Sequence, residues 1–154
     1  MFINSKTKRI ILRFSLLLML SIWIIGIISP CTNFNSLNTL YPFSKILYSN
    51  VCHQNISKSL IFNDLPLLVC ARCTGIYFGS AFAALVVLFI NRNFNLKTKY
   101  LILCSIPMLV DVISISIKVY HYNKIISTST GFLFGSAVFI YILAGIENLL
   151  FAEK

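Results

Sequence analysis

The sequence predicts an all-α membrane protein of four transmembrane helices, and three observations carry that reading. Hydrophobic residues make up 58% of the 154-residue chain and charged residues only 11%. With a mean hydropathy of +0.86, too few polar side chains remain to cover a soluble domain. Four apolar runs, residues 10–29, 71–90, 100–120 and 131–151, approach the ~20 residues a helix needs to cross a ~30 Å hydrocarbon core. The 13 Lys and Arg residues, which set a formal net charge of +9, stand mostly between or beside those runs. Basic flanks of this kind orient spans in a bilayer, so the charge calls for lipid and not for nucleic acid.

The first run follows Lys6, Lys8 and Arg9 and lacks a small-x-small cleavage site before Pro30 and Cys31, so it reads as a retained span and not a removable signal. Ile28-Ser29-Pro30 is also a poor lipobox for attaching lipid to Cys31. The second run reaches spanning length only by including its Cys-rich start at 71–73. The third and fourth have the length unaided, and because open backbone is intolerable in hydrocarbon all four must be helices. Basic residues then set direction: Lys6, Lys8, Arg9 and Arg13 crowd the first flank, and Arg92, Lys97 and Lys99 fill the loop after the second span. Both groups belong in the cytoplasm, which puts both termini inside the cell membrane and the loop at about 30–70 outside. That outer loop carries only Lys45 and Lys58 as basic residues. Its Leu40-Tyr41-Pro42-Phe43 and Ile46-Leu47-Tyr48 stretches have the half-apolar, aromatic character of an interfacial segment, and Asn63-Asp64 before Pro66 reads as a turn.

The second and fourth spans open alike. Thr74-Gly75-Ile76-Tyr77-Phe78-Gly79-Ser80-Ala81 matches Thr130-Gly131-Phe132-Leu133-Phe134-Gly135-Ser136-Ala137 at six of eight positions. Both spans run in the same direction, so the chain reads as two tandem helical hairpins whose glycines, four apart, permit close helix contact. A homo-oligomer or another membrane subunit is compatible with such faces.

The chemistry concentrates at Cys52-His53-Gln54 and at Cys70-Ala71-Arg72-Cys73. A C-x-x-C at a helix start puts two sulfurs on one face, where exposed amides and the positive dipole end favour thiolate. With Cys52 and His53 folded back by a short loop, Cys52, His53, Cys70 and Cys73 make a tetrahedral zinc set. Adjacent residues point apart, which counts against Cys52 and His53 sharing one ion. Redox-active thiols are the alternative to the metal site, since an outer face is usually oxidising, Cys70 with Cys73 can form a disulfide there, and Cys31 with Cys52 could supply a second pair. A purely structural staple, a non-catalytic subunit and a small transporter are the remaining readings, and the residues name no reaction.

Asp111 is an acid inside the third span, one turn after Pro107. A carboxylate there must be paired, protonated or solvated, which makes Asp111 a catalytic candidate, with Arg72 at the outer mouth of the second span as its partner. The competing role is an Arg72–Asp111 clamp between helices. Glu147, near the inner end of the last span, can either reach the surface or pair with Arg13 of the first. His121 reads as an interfacial anchor and Cys104 as packing. Gln54, Thr74 and Tyr77 are available to line the site.

Through Cys52-His53-Gln54, Cys70-Ala71-Arg72-Cys73-Thr74-Gly75-Ile76-Tyr77-x-Gly79, Pro107-x-x-x-Asp111 and Thr130-Gly131-x-x-x-Gly135, the chain resembles a family of small prokaryotic membrane proteins known as a domain of unknown function. The likeness runs from about residue 45 to 140. It implies no activity, but it implies that the cysteines, His53, Arg72 and Asp111 form one site. Lys58 stands where the family often has Arg, and Val112 where it often has Gly after the acid. The first keeps charge but loses a fork of donors.

Overall fold

The computed structural model describes residues 5–29, 41–62, 65–90 and 97–151. Its elements are helix α1 (Ser5–Ile28), helix α2 (Tyr41–Ser49), a 3₁₀ turn (Ile56–Lys58), strands β1 (Ser59–Phe62) and β2 (Leu65–Cys70), and helices α3 (Ala71–Phe89), α4 (Thr98–Ser116) and α5 (Lys124–Phe151). Four of them, over Thr7–Ile28, Ala71–Phe89, Thr98–Ser116 and Lys124–Leu150, are long and apolar enough to cross a membrane. These are the four spans read from the sequence, with shifted ends.

The shifts have local causes. α1 stops two residues before Pro30, as the backbone restriction ahead of a proline requires. α4 runs unbroken through Pro107 and ends four residues before Tyr120, where Lys118 turns left-handed (φ 59°) and the Ile117 and Val119 amides close back on Ile113 and Ser114 carbonyls. α5 begins seven residues before Gly131, because Asn123 accepts from the Ile125 amide and starts the helix early. The polar stretch that follows stays helical: Thr128, Ser129 and Thr130 donate to carbonyls four residues back, at 2.8–3.1 Å.

The loop between the first two spans is more ordered than its apolar pattern suggested. The interfacial stretch forms α2, and β1 and β2 pair as an antiparallel hairpin, Phe62 opposite Leu65 and Ser59 opposite Cys70. The turn read at Asn63-Asp64 lies outside the described residues, as do Cys31 and Arg92. Tyr48 anchors α2 to α1: its hydroxyl donates to the Trp23 carbonyl at 2.8 Å and fills the notch at Gly26, where a Cβ would overlap it. Ile27, Tyr48, Cys52, Leu67, Leu68 and Val69 make the buried cluster at this end.

α3 and α5 are the central pair, crossing through the two similar octapeptides. A Cβ on Gly79 would strike the Phe132 carbonyl oxygen and one on Gly135 the Ile76 carbonyl oxygen; Gly75 and Gly131 meet Thr128 and Arg72 in the same way. Ser80 Oγ donates to the Gly135 carbonyl at 3.1 Å, and Ser136 Oγ returns the contact to Gly79 at 3.0 Å. The crossing is therefore reciprocal, each octapeptide doing to the other what is done to it. α1 flanks α3 and α4 flanks α5, which gives two hairpins side by side. At the end away from the cysteines, Arg13 of α1 grips Glu147 of α5 with Nε and Nη2 at 2.6 and 3.1 Å, and its Nη1 donates to the Val87 carbonyl in the last turn of α3. The Arg13–Glu147 pairing expected from the sequence is thus formed, and the same guanidinium satisfies a helix-end carbonyl.

Candidate functional site

Three elements deliver three sulfurs to one place. Cys52 follows α2, where its amide and that of Val51 both donate to the Tyr48 carbonyl, and its side chain is buried. Cys70 closes β2 and caps α3, and Cys73 follows one turn later. The sulfurs of Cys52, Cys70 and Cys73 lie within 4.8 Å of one another. The Cys70 amide donates to the Cys52 sulfur at 3.2 Å, which ties the loop to the head of α3. Thr74 Oγ1 donates to the Cys70 carbonyl, and Tyr77, one turn on, packs beside the cluster. Gln54 turns away to the Lys45 carbonyl.

His53 is exposed and stands outside this sulfur group. Adjacent side chains point apart, so the core that buries Cys52 turns His53 outward. Among the described residues no other His, Cys, Asp or Glu joins the three sulfurs.

The donor set suits a thiophilic cation. A tetrahedral centre with Zn–S bonds of ~2.3 Å needs sulfurs ~3.8 Å apart, so closing the group requires movement of about 1 Å or less. Cys70 already favours its anionic form: the Cys73 thiol, the largest influence, donates to its sulfur, and the Cys73 and Arg72 amides add to this, outweighing burial and holding the thiol at about 5. A site of this kind can bind a metal through two or three thiolates, or oxidise two of them to a disulfide.

Arg72 lies between the two cysteines of the motif but points elsewhere. At about 100° per helical residue it leaves α3 well away from the Cys70 sulfur, toward α4. Its Nη2 donates to Asp111 Oδ2 at 2.6 Å. Ser127 Oγ of α5 donates to the same oxygen at 2.9 Å, and the Tyr120 hydroxyl donates to Oδ1. Asp111 is 4% exposed, and its carboxylate is enclosed by these three donors, the paired alternative among those read for it from the sequence. Tyr120, beyond the end of α4, has its hydroxyl acidity weakened by that bond to Asp111. Nearby, Tyr122 donates to the Lys58 carbonyl, and the Lys58 ammonium sits 5.6 Å from its ring. The Arg72–Asp111 pair was legible in the sequence. Ser127 and Tyr120 were not, because placing them requires knowing where α4 ends and α5 begins. His121 is exposed, and Cys104 is half-buried in α4, apart from the sulfur group.

Residues 52–141, which include the three cysteines, Arg72, Asp111, Tyr120 and Ser127, match the family described as "Predicted membrane protein (DUF2085)". The chain is also 36% identical over 100 residues to the uncharacterized protein MJ1492 of Methanocaldococcus jannaschii, across 63% of this chain and 64% of that one. It thus spans less than two thirds of that relative's length. No solved structure matches.

Proposed function

The chain belongs to the DUF2085 family of predicted membrane proteins, and from that premise we propose that it is a multi-pass protein of the cell membrane whose Cys52, Cys70 and Cys73 bind a zinc-like ion at the extracytoplasmic face. The observation that carries this reading is the convergence of three sulfurs within 4.8 Å from three different elements. Chance burial of cysteine as a small hydrophobe scatters residues through a core and does not gather them at one helix end. A bound ion supplies Lewis acidity and leaves a coordination position for a further ligand. Within this reading Cys70 binds as thiolate, and the Cys70 amide orients Cys52. The basic flanks of the first span and of the loop after the second support placing both termini in the cytoplasm.

Arg72 and Asp111, the sequence-level candidates for catalysis, take the part of positioning residues. With three donors on Asp111, the ion pair fixes the head of α3 against α4 and α5 and so sets where the C-x-x-C stands. A second reading is favoured by the Cys70 thiol, held at about 5 beside the Cys73 sulfur: in thiol–disulfide exchange the Cys70 thiolate attacks a substrate disulfide, Cys73 resolves the mixed disulfide, and the Cys70–Cys73 bond forms as the substrate leaves reduced to its two thiols.

Metal analysis with thiol titration on purified protein separates the two. One zinc per chain, lost in Cys70→Ser and in Cys52→Ser, is the expected result. A metal-free protein with a reducible Cys70–Cys73 bond, indifferent to Cys52→Ser, overturns the metal centre in favour of exchange.

A further inference from the structure

Helix α2 turns its apolar side away from the protein. A helix of 9 residues is too short to persist in water unaided, so it draws its stability from burying an apolar face. Yet the face packed on the protein carries buried Tyr48 and half-buried Ser44, while Phe43, Ile46 and Leu47, spaced i, i+3, i+4, are exposed. Phe43 and Ile46 are 66% and 67% exposed. Tyr48 follows Ile46 by two residues, about 200° around the helix, which sets the stripe nearly opposite the anchor.

Level along the bundle says what meets this stripe. The first span covers Thr7–Ile28, 22 residues, which at ~1.5 Å each make about 33 Å against a ~30 Å hydrocarbon core. Trp23 and Gly26 therefore stand at its outer boundary, and it is there that Tyr48 is fixed, by the Trp23 carbonyl and the Gly26 notch. The α2 backbone at Tyr48 lies no farther from that boundary than a tyrosine side chain reaches. Trp23 and Tyr48, edge to face with ring centroids 4.8 Å apart, are the residue types that collect at such a level. Ile22 and Ile25 of α1 are exposed alongside, so the surface that α1 turns to lipid continues at the level of α2. Lys45, exposed next to Ile46, offers an ammonium to headgroup phosphate.

What α2 carries is Cys52. The Val51 and Cys52 amides donate to the Tyr48 carbonyl at 3.1 and 3.0 Å, so this thiol sits in the turn that ends the helix. Cys70 and Cys73 stand at the head of α3. A displacement of α2 takes Cys52 with it and leaves the other two sulfurs in place.

We propose that α2 lies on the outer leaflet with Phe43, Ile46 and Leu47 in the boundary between phospholipid headgroups and acyl chains, and that this seat holds Cys52 against Cys70 and Cys73, so that the bilayer surface governs the thiol centre. The coupling rests on the metal-centre reading; the seat itself does not.

The test uses full-length protein in phosphatidylcholine nanodiscs. In Ile46→Trp, the emission added to that of the unmodified protein, whose one tryptophan is Trp23, is expected to be quenched by acyl-chain-brominated lipid and spared by aqueous iodide. Iodide quenching without bromolipid quenching places the stripe in water, and protection from both places it under protein; either result overturns the seat. Added Co²⁺ reads the coupling through its thiolate charge-transfer bands. Ile46→Glu sets a charge at the boundary and leaves the packed face of α2 untouched. It is expected to weaken Co²⁺ binding about tenfold or more and to lower the saturated band intensity by about one third, whereas Ile46→Met keeps both. Unchanged Co²⁺ binding in Ile46→Glu overturns the coupling, and so does loss of all the bands, since Cys70 and Cys73 remain with α3. The quenching is read in Ile46→Trp and does not depend on how Ile46→Glu folds. Bromolipid quenching in a protein that takes up no Co²⁺ overturns the metal centre and leaves the seat standing.

Discussion

Cys70 belongs to two elements at once, ending the hairpin and capping α3, and its chemistry follows from that position. Its acidity is raised by donors that point at it only while both elements are in place. The folded thiol lies at about 5 against an ordinary value near ~8.5, so thiolate persists at neutral pH and is lost as pH falls through about 5. The stabilisation linked to this depressed value is complete above the ordinary thiol range and disappears on acidification through the same point. In reduced, metal-free protein the iodoacetamide reaction of Cys70, followed by peptide mass spectrometry, is expected to keep one rate between pH 8 and pH 6. A tenfold decline per pH unit across that interval contradicts the assignment. Asp111 makes the complementary case, an anion held by neighbours. Asp111→Asn keeps the shape but leaves Arg72, 21% exposed, without its counter-charge, and is expected to cost about 3 kcal/mol in thermal melting. At this scale the sequence revealed the residues whose type is anomalous for their place: thiols in a cluster, an acid in a span. Hydroxyl partners such as Ser127 escaped, because serine is ordinary anywhere.

The helices show where periodic patterns inform and where they do not. Spans were readable from length and hydropathy, because lipid imposes one solution on the backbone. Their ends were not: α5 starts in a run of Ser and Thr that reads as loop until the hydroxyls are seen bonded to their own helix. The β1–β2 hairpin was hidden as well, since six residues of Leu65–Cys70 are too few to distinguish a strand from the approach to a span. The shared octapeptide did announce the α3–α5 contact, and two glycines outline it by contrast. Gly79→Ala pushes a methyl into the Phe132 backbone, which cannot swing aside, whereas Gly145 has nothing within 4 Å of a Cβ. Gly79→Ala is expected to lower the melting temperature by several degrees, while Gly145→Ala raises stability by up to about 1 kcal/mol through helix propensity. Equal responses at the two sites count against the close crossing.

At the scale of the molecule, two ion pairs among the described residues, Arg13–Glu147 buried and Arg72–Asp111 partly so, stand at opposite ends, and each joins one hairpin to the other: Arg72 of α3 to Asp111 of α4, and Arg13 of α1 to Glu147 of α5. Both hold parts together at the expense of desolvating charge. Glu147→Met alone strands a buried guanidinium and is expected to cost about 3 kcal/mol, most of it recovered when Arg13→Met is added. Losses that simply add in a double-mutant melting cycle disprove the coupling. These bonds between hairpins were half legible, since charge in an apolar run demands a partner without saying which, and the sequence offered few. The reciprocal crossing has one more consequence. Each hairpin starts from and returns to the same end of the bundle, and at the α3–α5 crossing each presents the other with a closely similar stretch of helix. Two hairpins encoded by a gene split within codons 91–96 are therefore expected to find the same crossing when produced together, whichever is translated first.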